Sequence, residues 1–149
     1  LYLQGATPDT WTKVSLPNAP IGQGTALADI NRDGRVDIAA NGYWLQQPND
    51  PVAGSWLRHD FSTWTQGASV ATTDMNGDGR VDIIIAPSEA GQGAIAWFEN
   101  PANPVSDAWT RHDIGTAEDV HRFHVADMNK DGRKDVVFAE MHQTAGQQP

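Results

Sequence analysis

The sequence predicts an all-β fold made of repeated four-stranded units, and three observations lead there. An acidic nine-residue motif occurs three times, as DINRDGRVD at 29–37, DMNGDGRVD at 74–82 and DMNKDGRKD at 127–135. Each copy follows a tryptophan at a fixed distance of 18 positions: Trp11 before Asp29, Trp56 before Asp74 and Trp109 before Asp127. The motifs run into short segments rich in β-branched and aromatic residues and bounded by turn residues, and no long stretch keeps a helical apolar period.

The elements of one unit follow in order. The tryptophans open outer strands, WTKVSL, WLRHDF and WTRHDI. An inner strand then leads into the acidic loop. A second strand leaves the loop, VDIIIAP in the middle unit and KDVVFAE in the last, with the residue types that suit a pleated surface. Third strands lie in the related blocks WLQQPNDPVAGSW (44–56) and WFENPANPVSDAW (97–109). The motifs recur after 45 and then 53 positions, and the extra eight residues fall between Asp82 and Trp97, around SEAGQG. About four strands in ~40–50 residues is the size of a propeller blade. The units starting near Trp11, Trp56 and Trp109 therefore make about two and a half four-stranded blades, a partial β-propeller over 11–149. Residues 1–10, which open LYLQG, read as the remnant of a protease site or as a disordered start.

Composition narrows the partners. The 149 residues hold no cysteine, so neither disulfides nor thiol chemistry are expected. Nineteen acidic residues against ten basic ones give a formal net charge of -9, which argues against nucleic acid. No apolar run approaches the ~18 residues of a membrane helix, so membrane insertion is not expected.

Much of that charge sits in the three loops. Each places Asp, Asn, Asp and Asp at positions 1, 3, 5 and 9, with Gly at 6. Hard oxygens alternating around a sharp turn suit Ca²⁺, which takes about 6–8 of them. The predicted ligands are Asp29, Asn31, Asp33 and Asp37; Asp74, Asn76, Asp78 and Asp82; and Asp127, Asn129, Asp131 and Asp135. An EF-hand would need Glu at position 12, where Ala40, Ile85 and Phe138 stand instead. Uncompensated carboxylates a few Å apart would repel by on the order of 1–4 kcal/mol per pair. A metal-free turn held by Asn and Asp side chains is the alternative, and three full copies of the ligand pattern weigh against it.

The loops resemble those of FG-GAP/VCBS repeats, the calcium-binding blades of integrin α-chain propellers, and GDGRVDIIIAP carries the likeness most closely. Similar repeats occur in fungal lectins and in propeller polysaccharide lyases. The resemblance covers roughly residues 11–142 and implies a β-propeller with calcium at the three loops. Closed propellers take about 4–8 blades, so missing blades or another chain are expected to complete this one.

Hairpins that turn at calcium leave their far ends roughly 17–20 Å away, and a ligand site is expected there. The third unit breaks the repeat at that end with HRFH (121–124) and EMH (140–142). His121 takes the place of Ala68, Arg122 of Ser69 and His124 of Ala71, while Glu140 and His142 replace Pro87 and Glu89. One-to-one pairing puts His121 opposite roughly residue 141 and His124 opposite roughly 138. His121, Glu140 and His142 are then expected to meet, with Arg122 placed for a carboxylate and His124 available to complete a zinc site. Any single histidine is more often a satisfied core or surface residue. Trp64, whose counterpart in the third unit is Ala117, and Tyr43 are the aromatic candidates for stacking on a sugar. The recurring tryptophans read as core.

These features predict a calcium-stabilised, lectin-like binding module for carbohydrate, secreted or at the cell surface, where calcium is abundant. The rival is an enzyme. Similar propeller lyases use a histidine pair with Tyr and Arg to neutralise a uronate and move its proton, which would make His121, His124, His142 and Arg122 the catalytic candidates. A third reading is an integrin-like propeller that binds protein.

Overall fold

The computed structural model describes residues 1–16, 24–64, 67–89 and 91–140. Among them the chain forms strands and no helix: β1 (Tyr2–Gln4), β2 (Trp11–Lys13), β3 (Ala26–Ala28), β4 (Asp37–Ala39), β5 (Tyr43–Gln46), β6 (Leu57–Asp60), β7 (Ala68–Thr73), β8 (Asp82–Pro87), β9 (Gln92–Glu99), β10 (Thr110–Glu118), β11 (Val120–Ala126) and β12 (Asp135–Glu140). Two complete antiparallel sheets run in chain order, β3-β4-β5-β6 and β7-β8-β9-β10, flanked by the pairs β1-β2 and β11-β12. These are blade-like repeats in an array that does not close, as the sequence predicts.

The middle blade explains the run of isoleucines. Successive side chains of a strand point to opposite faces, and every residue of β8 is buried. Ile83 and Ile85 pack with Ile30, Ala39 and Trp44 of the preceding blade. Ile84 and Ala86 pack with Val120 and Phe123 of the following one. A strand with a neighbour on each face needs no polar side, so its apolar residues run without alternation. Each fully buried isoleucine is worth about 1.5–3 kcal/mol of hydrophobic stabilisation.

Residues 1–10, set aside in the sequence reading, hold the first element of the fold. Leu3 pairs with Thr12, and Leu1 exchanges two backbone bonds with Val14, at 2.9 and 3.3 Å. Trp44 faces His59 and Trp97 faces His112 at the equivalent places. LYLQG thus corresponds to WLQQP and WFENP, and β1-β2 are the third and fourth strands of a blade. The likeness is hard to see because Leu1 stands where the others have tryptophan, and the link to the next tryptophan spans ten positions instead of twelve. A shared bond supports it. The indole N–H of Trp11 donates to Pro8 O at 3.1 Å, as Trp56 does to Pro51 (3.2 Å) and Trp109 to Pro104 (3.3 Å).

Candidate functional site

The acidic loops close one end of the hairpins, and all three share one hydrogen-bond scheme. The position-1 carboxylates of Asp29, Asp74 and Asp127 accept the N–H groups of positions 5 and 6, at 2.8–3.2 Å. The position-3 side chains of Asn31, Asn76 and Asn129 accept from the N–H of position 5 and donate to its carboxylate. Two residues per loop adopt the left-handed conformation. One is the glycine at position 6; the other is position 4, where Arg32 (φ 60°), Gly77 (80°) and Lys130 (62°) stand. Nothing in the ligand pattern marks position 4, because two of its three residues are not glycine.

Position 9 differs from the sequence reading in its surroundings. Asp37 and Asp82 are fully buried, and both oxygens of each already accept backbone N–H groups. Asp37 bridges Ile30 N (3.0 Å) and Gln47 N (2.9 Å); Asp82 bridges Met75 N and Asn100 N, both at 2.8 Å. Each therefore ties the loop to the first residue beyond the third strand. Burial pushes both carboxyls above the usual range. Their backbone bonds work against this, and nearby Asp33, or Asp78 and Asp74, add to it.

Calcium fits these loops by donor chemistry, since positions 1, 3 and 5 present hard carboxylate and amide oxygens. Convergence is a separate matter: among the described residues no three carboxylates or imidazoles gather as a metal-holding group. The oxygens are turned into the loop's own bonds, and an ion would have to draw them out of it.

The loops also hold neighbouring blades together. Asn100, buried, donates through Nδ2 to Ile30 O of the first loop and Val81 O of the second, both at 2.9 Å. Arg32 of the first loop donates to Ala102 O at 2.8 Å.

The opposite end carries a cavity of about 600 Å³ between the inner strands β7 and β11, the segment leading into β3 and the residues after β8. Gly24, Ser69 and Arg122, which are the same repeat position in three blades, all line it. Gly24 packs so closely on β7 that a Cβ there would lie 2.5 Å from Ala68 O. Ser69 Oγ sits 2.7 Å from Val120 O and 2.6 Å from His121 O, so it ties β11 to β7 at the lip of the cavity. Thr25, Ser88, Glu89, His121, Arg122 and His124 complete its polar lining.

The predicted cluster is only partly assembled. Phe123 to Ala126 pair one-to-one with Phe138 to Asp135, which sets His124 opposite Val137, one residue from the expected partner, and a bulge between Val120 and Phe123 then brings Val120 opposite Glu140. A bulge inserts an extra residue on one strand; this one falls at His121 and Arg122, which both reach the cavity. The Glu140 carboxylate accepts from Glu118 N at 3.1 Å. His142 lies outside the described residues. Neither aromatic candidate lines the cavity. Trp64 packs against the core cluster that includes Ile30, Trp44 and Phe98, and Tyr43 is buried under the Arg58 guanidinium, 4.1 Å from its ring centroid. Ser88 escaped the sequence reading; Ser69 and Glu89 entered it only as counterparts of Arg122 and His142.

Residues 74–138, from the second acidic loop into β12, match the family model of the FG-GAP-like repeat. That likeness to an FG-GAP-like repeat points to a propeller-type interaction module. No curated protein and no solved structure matches the chain.

Proposed function

We propose that this chain is a calcium-stabilised binding module of a secreted or cell-surface protein, and that it takes a carbohydrate in the cavity between its inner strands. The observation that carries this reading is the makeup of the cavity. Its volume of about 600 Å³ lies within the ~300–1,000 Å³ of small-molecule sites. Most such sites are apolar, whereas this one offers a guanidinium, two imidazoles, hydroxyls and a carboxylate. A ligand rich in hydroxyls exchanges its water bonds for these at little loss, and an apolar ligand does not. Calcium at the far end would act on stability alone.

The test is binding of the intact chain to an array of immobilised glycans, followed by calorimetry on the best ligand with His121→Ala and Arg122→Ala. Both side chains are exposed, so folding should survive. A loss of roughly tenfold or more is expected for Arg122→Ala, from one charged hydrogen-bonding group. Wild-type affinity in both variants, or no glycan bound at all, would remove the reading. Appearance of an unsaturated sugar product would replace it with lyase activity.

A further inference from the structure

Two departures from the repeat meet at the cavity. One is the string 121–124 on β11. The other is the extra eight residues that the middle unit carries between Asp82 and Trp97. They lengthen the outer half of the middle blade: β9 and β10 run eight and nine residues, against four each in β5 and β6. The added rungs run from Ile95 opposite Gly115 to Gln92 opposite Glu118. The same stretch supplies Ser88 and Glu89 to the lining of the cavity.

A closed circuit of hydrogen bonds holds this wall to β11. Gly91 N donates to the Asp119 carboxylate at 2.9 Å, and Asp119 N returns a bond to Gly91 O at 3.4 Å. Asp119 is the single residue between β10 and β11. Just beyond it, the carbonyls of Val120 and His121 lie 2.7 and 2.6 Å from Ser69 Oγ. Two residues before Ser69, Gly67 O accepts Ser88 N at 2.9 Å, which brings the circuit back to the wall. Glu89 stands between the Ser88 and Gly91 anchors. Its place relative to His121 and Arg122 is therefore set through Asp119.

The backbone marks the same two segments. Outside the acidic loops, the described non-glycine residues with positive φ are Glu89 (51°) and Asp119 (45°). In that conformation Cβ crowds the following carbonyl. Such residues persist where their surroundings over-determine them, and they gather at ligand sites. Nor is Asp119 part of the repeat, since Gln66 and Ile21 stand at its counterpart positions.

On the carbohydrate reading above, we propose that Glu89 contacts the ligand and that Asp119 is the residue that positions it. A carboxylate accepts several hydrogen bonds, so Glu89 takes sugar hydroxyls where Arg122 can only donate. That contact depends on placement, because hydrogen bonds weaken steeply away from their preferred geometry. Asp119 is 8% exposed and is not among the residues that line the cavity. It acts by holding Gly91, two residues from Glu89.

The test is calorimetry on the intact chain with neutral, uronate-bearing and sulfated trisaccharides as probes, the variants being measured on the probe bound most tightly. Glu89→Ala, at an exposed side chain, should weaken binding roughly tenfold. Asp119→Gly, which suits the left-handed backbone and removes only the side chain, should weaken it about as much. Asp119→Asn keeps an acceptor oxygen and tolerates the same conformation, so it should stay within about threefold of wild type. Adding Glu89→Ala to Asp119→Gly should cost little beyond either alone, since one acts through the other. In the wild type, saturating probe should slow amide exchange at Gly91 by about tenfold, because coupling between sites is reciprocal; this measurement needs no variant to fold. Wild-type affinity in Asp119→Gly, an equal loss in Asp119→Asn, full additivity, or unchanged exchange at Gly91 would each overturn the proposal and leave the carbohydrate site standing. No binding of any probe by the wild type would remove that reading and this proposal with it.

Discussion

The imidazole of His59 lies on the indole of Trp44, ring centroids 4.4 Å apart and planes 27° from parallel, and His112 lies on Trp97 at 4.1 Å and 12°. The partners face each other across the third and fourth strands of consecutive blades. A neighbouring side chain holds each ring: His59 Nε2 is 3.1 Å from Gln46 Oε1, and His112 Nε2 is 3.0 Å from Glu99 Oε2. Trp44 is fully buried, so its histidine closes the outer side of the blade over a core indole.

His59 makes stability depend on pH. Burial in this stack lowers its pKa below the ordinary 6.5, and Asp60 opposes the shift. The unfolded chain therefore binds more protons than the folded one in the window below 6.5. The contribution is fully present above the unfolded pKa and is lost as pH falls through the lower folded value. Melting temperature should fall more steeply between about pH 6.5 and 5 in the wild type than in His59→Phe, which keeps the ring and removes the proton site. Parallel curves for the two proteins would show that the stack carries no such linkage.

The blades were legible because their signals are local and repeated. The loops, the tryptophans and the VDIIIAP strand each announce a unit, and the inner-strand mouth follows from hairpin geometry. What stayed hidden depends on partners distant in sequence. LYLQG lacks the tryptophan that marks its equivalents, and only pairing with Trp11–Lys13 identifies it as a strand. The turn sets His124 opposite Val137, one partner from a pairing centred on the loop, and the bulge before Phe123 displaces Val120 in turn; no residue in HRFH encodes it. Asp37 and Asp82 look like their loop neighbours by type, yet lie at the start of buried strands, where backbone N–H groups claim both oxygens. Trp64 is distinguished by failing to repeat, which says nothing about whether it faces solvent or core.

Ile84 and Ile85 are adjacent, fully buried and committed to different neighbours. Replacing either by Ala should cost about 2–5 kcal/mol through lost transfer energy and the cavity left behind. Ile84→Ala should also loosen the packing of Val120 and Phe123, next to His121 and Arg122. Hydrogen exchange in β11 should therefore rise in Ile84→Ala and not in Ile85→Ala, measured under conditions where both variants remain folded. Equal protection of β11 in the two would mean that the blades unfold as one unit.

Asn100 is the joint between the first two acidic loops. Asn100→Ala leaves the carbonyls of Ile30 and Val81 without their donor and should cost about 1–3 kcal/mol for each one that stays dry. Asn100→Asp keeps the shape but sets an acceptor against two acceptors, so it should be the worse of the two. Urea unfolding midpoints in the order wild type, Ala, Asp would bear this out. The reverse order of Ala and Asp would mean that the side chain does not bridge the loops.

Calcium binding should separate two kinds of aspartate within one loop. Asp78 is a surface group that accepts from Arg80 N and Asn76 Nδ2 and pairs with the Arg80 guanidinium. Asp82 is the buried clamp between Met75 N and Asn100 N. If the loops take Ca²⁺, the ion stabilises the fold by mass action, about 2.7 kcal/mol per site at a hundredfold excess over Kd. Asp78→Ala should then remove one of three calorimetric sites and narrow the gap in melting temperature between calcium and chelator. Asp82→Asn should lower the melting temperature in chelator as well, because the amide keeps one acceptor oxygen and turns its NH₂ toward a backbone N–H. No heat of calcium binding and coincident melting curves with and without the ion would leave the loops as turns held by their own side chains, with Asp82→Asn still destabilising and Asp78→Ala nearly silent.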